Sequence, residues 1–298
     1  MNTTSTSHWP TLGRLTKWLL WTGVVLILIQ QACAPYQLAA AREDLIDRLQ
    51  DDRNSRVIAM IHREENVSLF GVPVSSFIDI EDSEAVLRGI RSMPADQPID
   101  FILHTPGGLV LAAEQIAHAL LAHKGKVTVF VPHYAMSGGT LLALAADEIV
   151  MDPNAVLGPV DPQIDDMPAA SIVAAVALKP PTHVSDEMLV RADVAAKARR
   201  QVASFVTEVL LERLPQDKAA ALALTLSEGR WTHDFPITVD AARQLGLPIS
   251  VEVPSLIYEL MDLYPQAGMS RPSVLYVPTR PAPPHERRAP SSVSGSRH

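Results

Sequence analysis

The 298-residue chain carries a formal net charge of −8, and its 25 basic residues are scattered without a basic stripe or interleaved aromatics. With aromatics at only 5%, that distribution excludes nucleic acid as an expected partner, while 47% hydrophobic residues exclude a wholly disordered chain. The single cysteine, Cys33, allows neither an intramolecular disulfide nor a CxxC metal site.

Trp18 to Ile29 is an uncharged, almost wholly apolar run, and extending it to Ala34 adds only Gln30 and Gln31 as strongly polar residues. Preceded by Arg14 and Lys17, the run predicts a single-pass membrane anchor over 17–34, at the short end of what spans a bilayer core. A signal peptide is the competing reading, but no clean small-x-small site closes the run. Residues 1–16 form an N-terminal segment before the anchor. A helical linker over 35–55 follows it, with Leu38, Ala41, Leu45, Ile46 and Leu49 at helical spacing. Arg42 and Arg48 on the far side offset Arg14 and Lys17, so the side of the membrane carrying the rest of the chain stays open.

A domain is expected over 56–256. It begins with a short strand over 57–62 and a helix capped by Asp82 or Ser83 that carries Val86, Leu87 and Ile90. An apolar strand over 99–103 ends at Thr105-Pro106-Gly107-Gly108, and a helix over 109–122 presents one apolar stripe. A strand over 126–131, a small-residue helix over 138–146 and a strand over 148–151 come next. Strands alternating with helices at this spacing imply an α/β fold with a mostly parallel sheet and crossover helices. Residues 152–166 are turn-rich, and 167–178 are Ala-rich and apolar, suited to a substrate groove or an oligomer contact. Ser185 is expected to cap a helix running to about 214, a second helix spans 216–226, and Thr238 caps a short one that stops at Gly246. A final strand is expected over 249–253. The C-terminal segment 257–298 turns proline-rich and aperiodic after about 270, and that tail is expected to be disordered.

Active sites in parallel sheets lie beyond the carboxyl ends of the strands, where the Gly107-Gly108 turn and Ser137-Gly138-Gly139 both fall. A serine on a strand-to-helix corner is presented to a cleft, and backbone N–H groups of two glycine turns beside it can bind an oxyanion. Ser137 is therefore the expected nucleophile, with Gly107, Gly108 and Gly138 forming the oxyanion hole. His104 could border the same cleft, although a strand-end histidine is more readily satisfied by backbone. The remaining histidines and carboxylates show no metal-ligand spacing, and neither GxGxxG nor GxxxxGK[ST] is present, so no metal, cofactor or ATP is expected.

Taken in order, the TPGG turn, YAMSGGT, GPVDPQ and WTHDFPIT resemble the serine dehydrogenase proteinase family of the Clp protease/crotonase superfamily, related to signal peptide peptidase A. The likeness covers roughly 55 to 255. It implies a Clp/crotonase-like spiral of ββα units, here with an N-terminal transmembrane helix, a serine nucleophile and a homo-oligomer. Where a Clp-type enzyme carries its histidine, Val160-Asp161-Pro162-Gln163 holds none. Signal-peptide-peptidase relatives use a Ser–Lys dyad instead, which points to Lys179, in a Pro-flanked connection, or to Lys197. Lys197 also has Asp193 one turn earlier as an ordinary partner. A histidine or no base at all remains open. His233-Asp234 lies near the place of the Clp triad acid, so Asp234 could orient a base or close a turn. The chain is thus expected to be a membrane-anchored, ATP-independent serine peptidase acting on peptides or membrane-protein segments and touching lipid through its N-terminal helix. The alternative is a catalytically silent membrane scaffold of the same fold that binds hydrophobic peptides. Acyl-thioester chemistry is disfavoured by a serine between the glycines.

Overall fold

The computed structural model describes residues 9–62, 67–69, 72–74 and 77–264. The first elements are a long helix α1 (Trp9–Arg53), strand β1 (Arg56–Ile61), a small antiparallel pair β2 (Val67–Leu69) and β3 (Val72–Val74), and helix α2 (Ile80–Arg91). Strand β4 (Ile99–His104), helix α3 (Val110–Leu121), strands β5 (Val127–Val131) and β6 (Tyr134–Ala135), helix α4 (Gly138–Leu144) and strand β7 (Glu148–Met151) follow. Next come the short strands β8 (Val156–Leu157), β9 (Gln163–Ile164) and β10 (Met167–Pro168), then helices α5 (Ala169–Ala177), α6 (Asp186–Leu211) and α7 (Gln216–Ser227). The described chain ends through β11 (Ile237–Thr238), α8 (Val239–Gln244), β12 (Ile249–Ser250) and α9 (Ser255–Asp262).

Five strands form one all-parallel sheet in the order β1-β4-β5-β7-β12. Every residue of β4 and β5 is buried, as expected of strands covered on both faces. Alternation divides their side chains. Ile99, Phe101, Leu103, Val127, Val129 and Val131 pack with α3, α4, α6 and α7, while Ile102 and Phe130 face the other way. That second face is covered by Leu45 and Leu49 of α1 and by Leu256, Ile257, Leu260 and Met261 of α9. Asp100, buried on the same side, accepts from Ser55 Oγ at 2.7 Å and pairs with Arg53, so its charge is matched at the end of α1. Arg42 Nη2 donates to the Leu263 carbonyl at 2.7 Å, which ties α1 to the end of α9. A second, three-stranded sheet, β11-β8-β6, lies off the first, linked to it by the isolated Thr105–Ala135 bridge.

The mixed α/β architecture with a parallel sheet agrees with expectation. The membrane helix does not emerge from the structure: among the described residues no helix is long and apolar enough to cross a membrane. Residues 17–34 lie within the continuous helix α1, and many of their side chains fall outside the described residues. No break separates them from 35–55, whose last turns belong to the packed core. The expected disordered tail also lies outside the described residues.

Candidate active site

The two glycine turns are held together by the backbone. Thr105 N–H donates to the Tyr134 carbonyl at 3.2 Å, and Met136 N–H donates to the Thr105 carbonyl at 3.0 Å. These bonds zip the end of β4 to β6, and Gly107 and Ser137 follow on adjacent corners. A Cβ built on Gly107 would lie 2.7 Å from Ser137 Cβ and 2.9 Å from the Met136 carbonyl oxygen, and one on Gly139 would lie 2.6 Å from Thr105 Cγ2. Only glycine permits that approach, and Gly107 also has φ 108°. Behind it, Ile78 N–H donates to the Gly107 carbonyl at 2.7 Å and Leu109 N–H to the Ile78 carbonyl at 2.8 Å, clamping the turn against the start of α2.

Ser137 sits at φ 50° and ψ −116°, a conformation that non-glycine residues avoid. It occupies the N-cap position of α4, yet its side chain makes no capping hydrogen bond. Among the described residues the hydroxyl has no protein partner, and it faces a cavity of about 220 Å³. Gly139 N–H is taken by the Met136 carbonyl at 2.7 Å, whereas the N–H groups of Gly108 and Gly138 have no acceptor among the described residues. A Cβ built on Gly138 would lie 3.6 Å from Gly108 N, so the two donors are neighbours beside Ser137.

A second network stands behind the turn. Gly107 N–H donates to Thr105 Oγ1 at 3.1 Å, and that oxygen lies 2.9 Å from His62 Nδ1. His62 Nε2 lies 3.3 Å from Asp82 Oδ2, whose carboxylate also accepts from Asp79 N–H at 3.0 Å. With the proton on Nε2, every group in this chain is matched: Gly107 N–H to Thr105, Thr105 O–H to His62, and His62 to Asp82. His62 and Thr105 are both buried.

The opposite wall is the GPVDPQ loop. Thr140 Oγ1 donates to the Ala135 carbonyl at 2.8 Å and accepts from Gly158 N–H at 2.9 Å, fastening that loop to the Ser137 corner. Val160 N–H donates to the Leu226 carbonyl at 2.8 Å and secures its far end to α7. Asp161 follows with a side chain only 2% exposed. Its Oδ1 accepts from His233 Nδ1 at 2.8 Å and its Oδ2 from Gln163 Nε2 at 2.7 Å. Asp161, Gln163 and His233 line the cavity that holds Ser137, Gly108 and Gly138. Apolar side chains, among them Leu141, Val202 and Phe205, complete it, with one carboxyl, Glu114. Burial pushes the Glu114 carboxyl above its usual range; His118 opposes that shift and Glu208 adds to it.

The other candidate residues stand elsewhere. Lys179 is exposed just past α5 and is not among the cavity-lining residues. Lys197 is exposed on α6 and paired with Asp193 at 2.5 Å, its ordinary helical partner. His104 is buried behind the site, its ring 4.2 Å from that of Tyr134 and 5.7 Å from that of His133. Asp234 is exposed, and the carboxyl beside His233 is that of Asp161. The His233–Asp161 pair escaped sequence reasoning because 72 residues separate its members. The signal available was the missing histidine in GPVDPQ together with the histidine in WTHDFPIT.

A protein-family model described as ClpP-like SDH-type serine proteinase matches residues 7–291. An uncharacterized protein of Methanocaldococcus jannaschii, MJ0137, is 53% identical over 261 residues, 87% of this chain and 91% of its own length. A second from that organism, MJ1495, is 54% identical over 233 residues, 78% of this chain and 80% of its own. Among solved structures, ClpP1 from Listeria monocytogenes aligns with 70% of this chain and 98% of its own at 16% identity, with a TM-score of 0.43. A mutant of the membrane-bound stomatin-specific protease 1510-N aligns with 62% of this chain and 79% of its own at 19% identity, with a TM-score of 0.40.

Proposed function

We propose, for a chain that belongs to the ClpP-like SDH-type serine proteinase family, that it hydrolyses peptide bonds through an acyl-enzyme on Ser137. The observation that carries this reading is an uncommitted hydroxyl beside two uncommitted backbone N–H groups, those of Gly108 and Gly138, in one cavity. Attack of Ser137 Oγ on a substrate carbonyl places negative charge on the carbonyl oxygen, and donors already fixed by their turns stabilise that charge without reorganising. Loss of one such donor typically costs about 100-fold or more in rate. Neither ATP nor a metal takes part. The substrate is a peptide or an unfolded protein segment, membrane proteins included.

The active form is a homo-oligomer anchored by a single pass over 17–34, an arrangement supported by the apolar run from Trp18 to Ile29. Exposed Leu178, just past α5, and Val190 and Val194 on α6 support contact between copies.

The test is a fluorophosphonate probe on the full-length, detergent-solubilised protein. Wild type is expected to label and Ser137→Ala not to. A folded wild-type protein that refuses the probe would leave only the silent scaffold. Fractionation of cells expressing the full chain or a form lacking 1–34 tests the anchor, which is wrong if the full chain remains in the soluble fraction.

A further inference from the structure

We infer that His233 is the general base for Ser137, and that buried Asp161 orients it, in an order along the chain that exchanges the places of the Clp-type histidine and acid. The inference rests on the serine-peptidase reading above and takes its proton acceptor from the cavity itself, which neither Lys179 nor Lys197 lines.

Asp161 is the informative residue. A carboxylate with a side chain 2% exposed is costly unless both oxygens are matched, and here each has one donor, His233 Nδ1 and Gln163 Nε2. Gln163 Nε2 also lies 3.2 Å from His233 Nδ1, so the three groups form a closed cluster. With Nδ1–H donating to Asp161, the neutral ring must carry its lone pair on Nε2. Nε2 has no protein partner among the described residues, and the ring is half-exposed on the cavity that Ser137 also lines. A histidine whose inner nitrogen is fixed by a buried carboxylate and whose outer nitrogen opens on a nucleophile's cavity has the tautomer and orientation that serine activation needs. Such a constellation is defined by geometry and not by order along the chain.

Ser137 Oγ bonds to the carbonyl carbon as its proton passes to His233 Nε2. The C–N bond then breaks, and the same proton leaves with the amine. Water attacks the resulting ester, giving its proton to Nε2, and Ser137 recovers a proton from Nε2 as the acid product departs. The titratable groups facing this cavity are Asp161, His233 and Glu114.

The experiment measures fluorophosphonate labelling of Ser137 and hydrolysis of a fluorogenic peptide from pH 5 to 9, using full-length protein. His233→Ala and Asp161→Asn are each expected to lower both rates by about 10²–10⁴-fold, the range for a positioned acid–base group. In His233→Ala the rise of the labelling rate with pH is expected to vanish, and added imidazole to restore part of the rate. A purely structural role for His233 would produce neither effect. His233→Gln and a thermal melt of each variant guard against misfolding. Wild-type labelling that survives in His233→Ala and His233→Gln but disappears in Lys179→Ala or Lys197→Ala would overturn the base assignment and leave the nucleophile standing. Absence of wild-type labelling would overturn the peptidase reading itself.

Discussion

At position 137 glycine should be more stable than alanine, the reverse of the usual order. Ser137 is held at φ 50° and ψ −116°, and a side chain in so sparsely populated a region costs about 1–3 kcal/mol. Alanine retains that cost. It also loses nothing by deletion of the hydroxyl, which makes no capping bond, so Ser137→Ala should match wild type closely. Glycine removes the strain but loosens the unfolded chain, at a cost of about 0.4–1 kcal/mol relative to alanine. The difference leaves Ser137→Gly ahead of Ser137→Ala by about 0.5–2 kcal/mol. At about 2–4 °C per kcal/mol for a domain of this size, the melting point should differ by a few degrees. Urea unfolding at fixed protein concentration, followed by circular dichroism, reads the effect as a shift in midpoint with an unchanged slope. Neither variant should hydrolyse peptide. If alanine proves as stable as glycine, the corner stores no strain, and the idea that the fold holds Ser137 in place against its own preference fails.

The Gly107 N–H is already given to Thr105 Oγ1, but Gly107→Ala forces a Cβ to within 2.7 Å of Ser137 Cβ at φ 108°, displacing that corner and the adjacent Gly108 donor, so probe labelling should fall about 100-fold in a protein that still shows the wild-type circular dichroism spectrum. His62→Ala removes the link from Asp82 through Thr105 to the glycine turn. Breaking that buried chain should lower stability by about 1–3 kcal/mol and reduce kcat while leaving KM near its wild-type value, because the turn and not the substrate pocket is loosened. Glu114→Gln should stabilise the protein at neutral pH, because burial raises the Glu114 carboxyl above its ordinary range and the folded state then disfavours its charge. Since the folded-state value lies above the unfolded one, this advantage should shrink as pH falls through the raised value and disappear below the usual carboxylate range. Urea midpoints of the two proteins at several pH values check both the sign and the window.

Much of the fold was legible because its sheet is parallel. The runs at 99–103, 126–131 and 148–151 stand out as short apolar segments bounded by turn residues, and they became β4, β5 and β7. Polar caps were equally readable: Ser185 accepts from Met188 N–H and Thr238 from Ala241 N–H, and Gly246 ends α8 at φ 86°. Alpha2 starts earlier than its apolar spacing suggested. Asp79, not Asp82 or Ser83, is the cap, and Asp82 answers it from the third helical position, closing a capping box in which aspartate replaces the usual glutamate or glutamine. The strand expected over 249–253 pairs only at Ile249 and Ser250. The Ala-rich stretch became α5, whereas α9 straddles the domain end expected at 256 and has no polar cap to mark its start. Its role is visible only in three dimensions, where Leu256, Ile257, Leu260 and Met261 meet Leu45 and Leu49 across the sheet's outer face.

The site divides along the same physical line. Gly107, Gly108, Ser137 and Gly138 could be chosen in advance because each signals its own backbone demand through residue type, and the two turns belong to adjacent units of one sheet. A base carries no such local mark. The family resemblance points to lysines, but a lysine at the right sequence distance is uninformative until its surroundings are known, and Lys197 is already matched by Asp193. What singles out His233 is a buried carboxylate contributed by a different loop, brought across by the Thr140–Gly158 and Val160–Leu226 bonds. Those bonds fix Asp161 whether or not a histidine faces it, so the loop is a socket for whichever partner the chain supplies. A family can therefore exchange base and acid between two loops without disturbing the nucleophile, provided that the carboxylate stays buried and the imidazole opens on the cavity. On this chain both conditions hold: Asp161 is buried and His233 lines the cavity that holds Ser137.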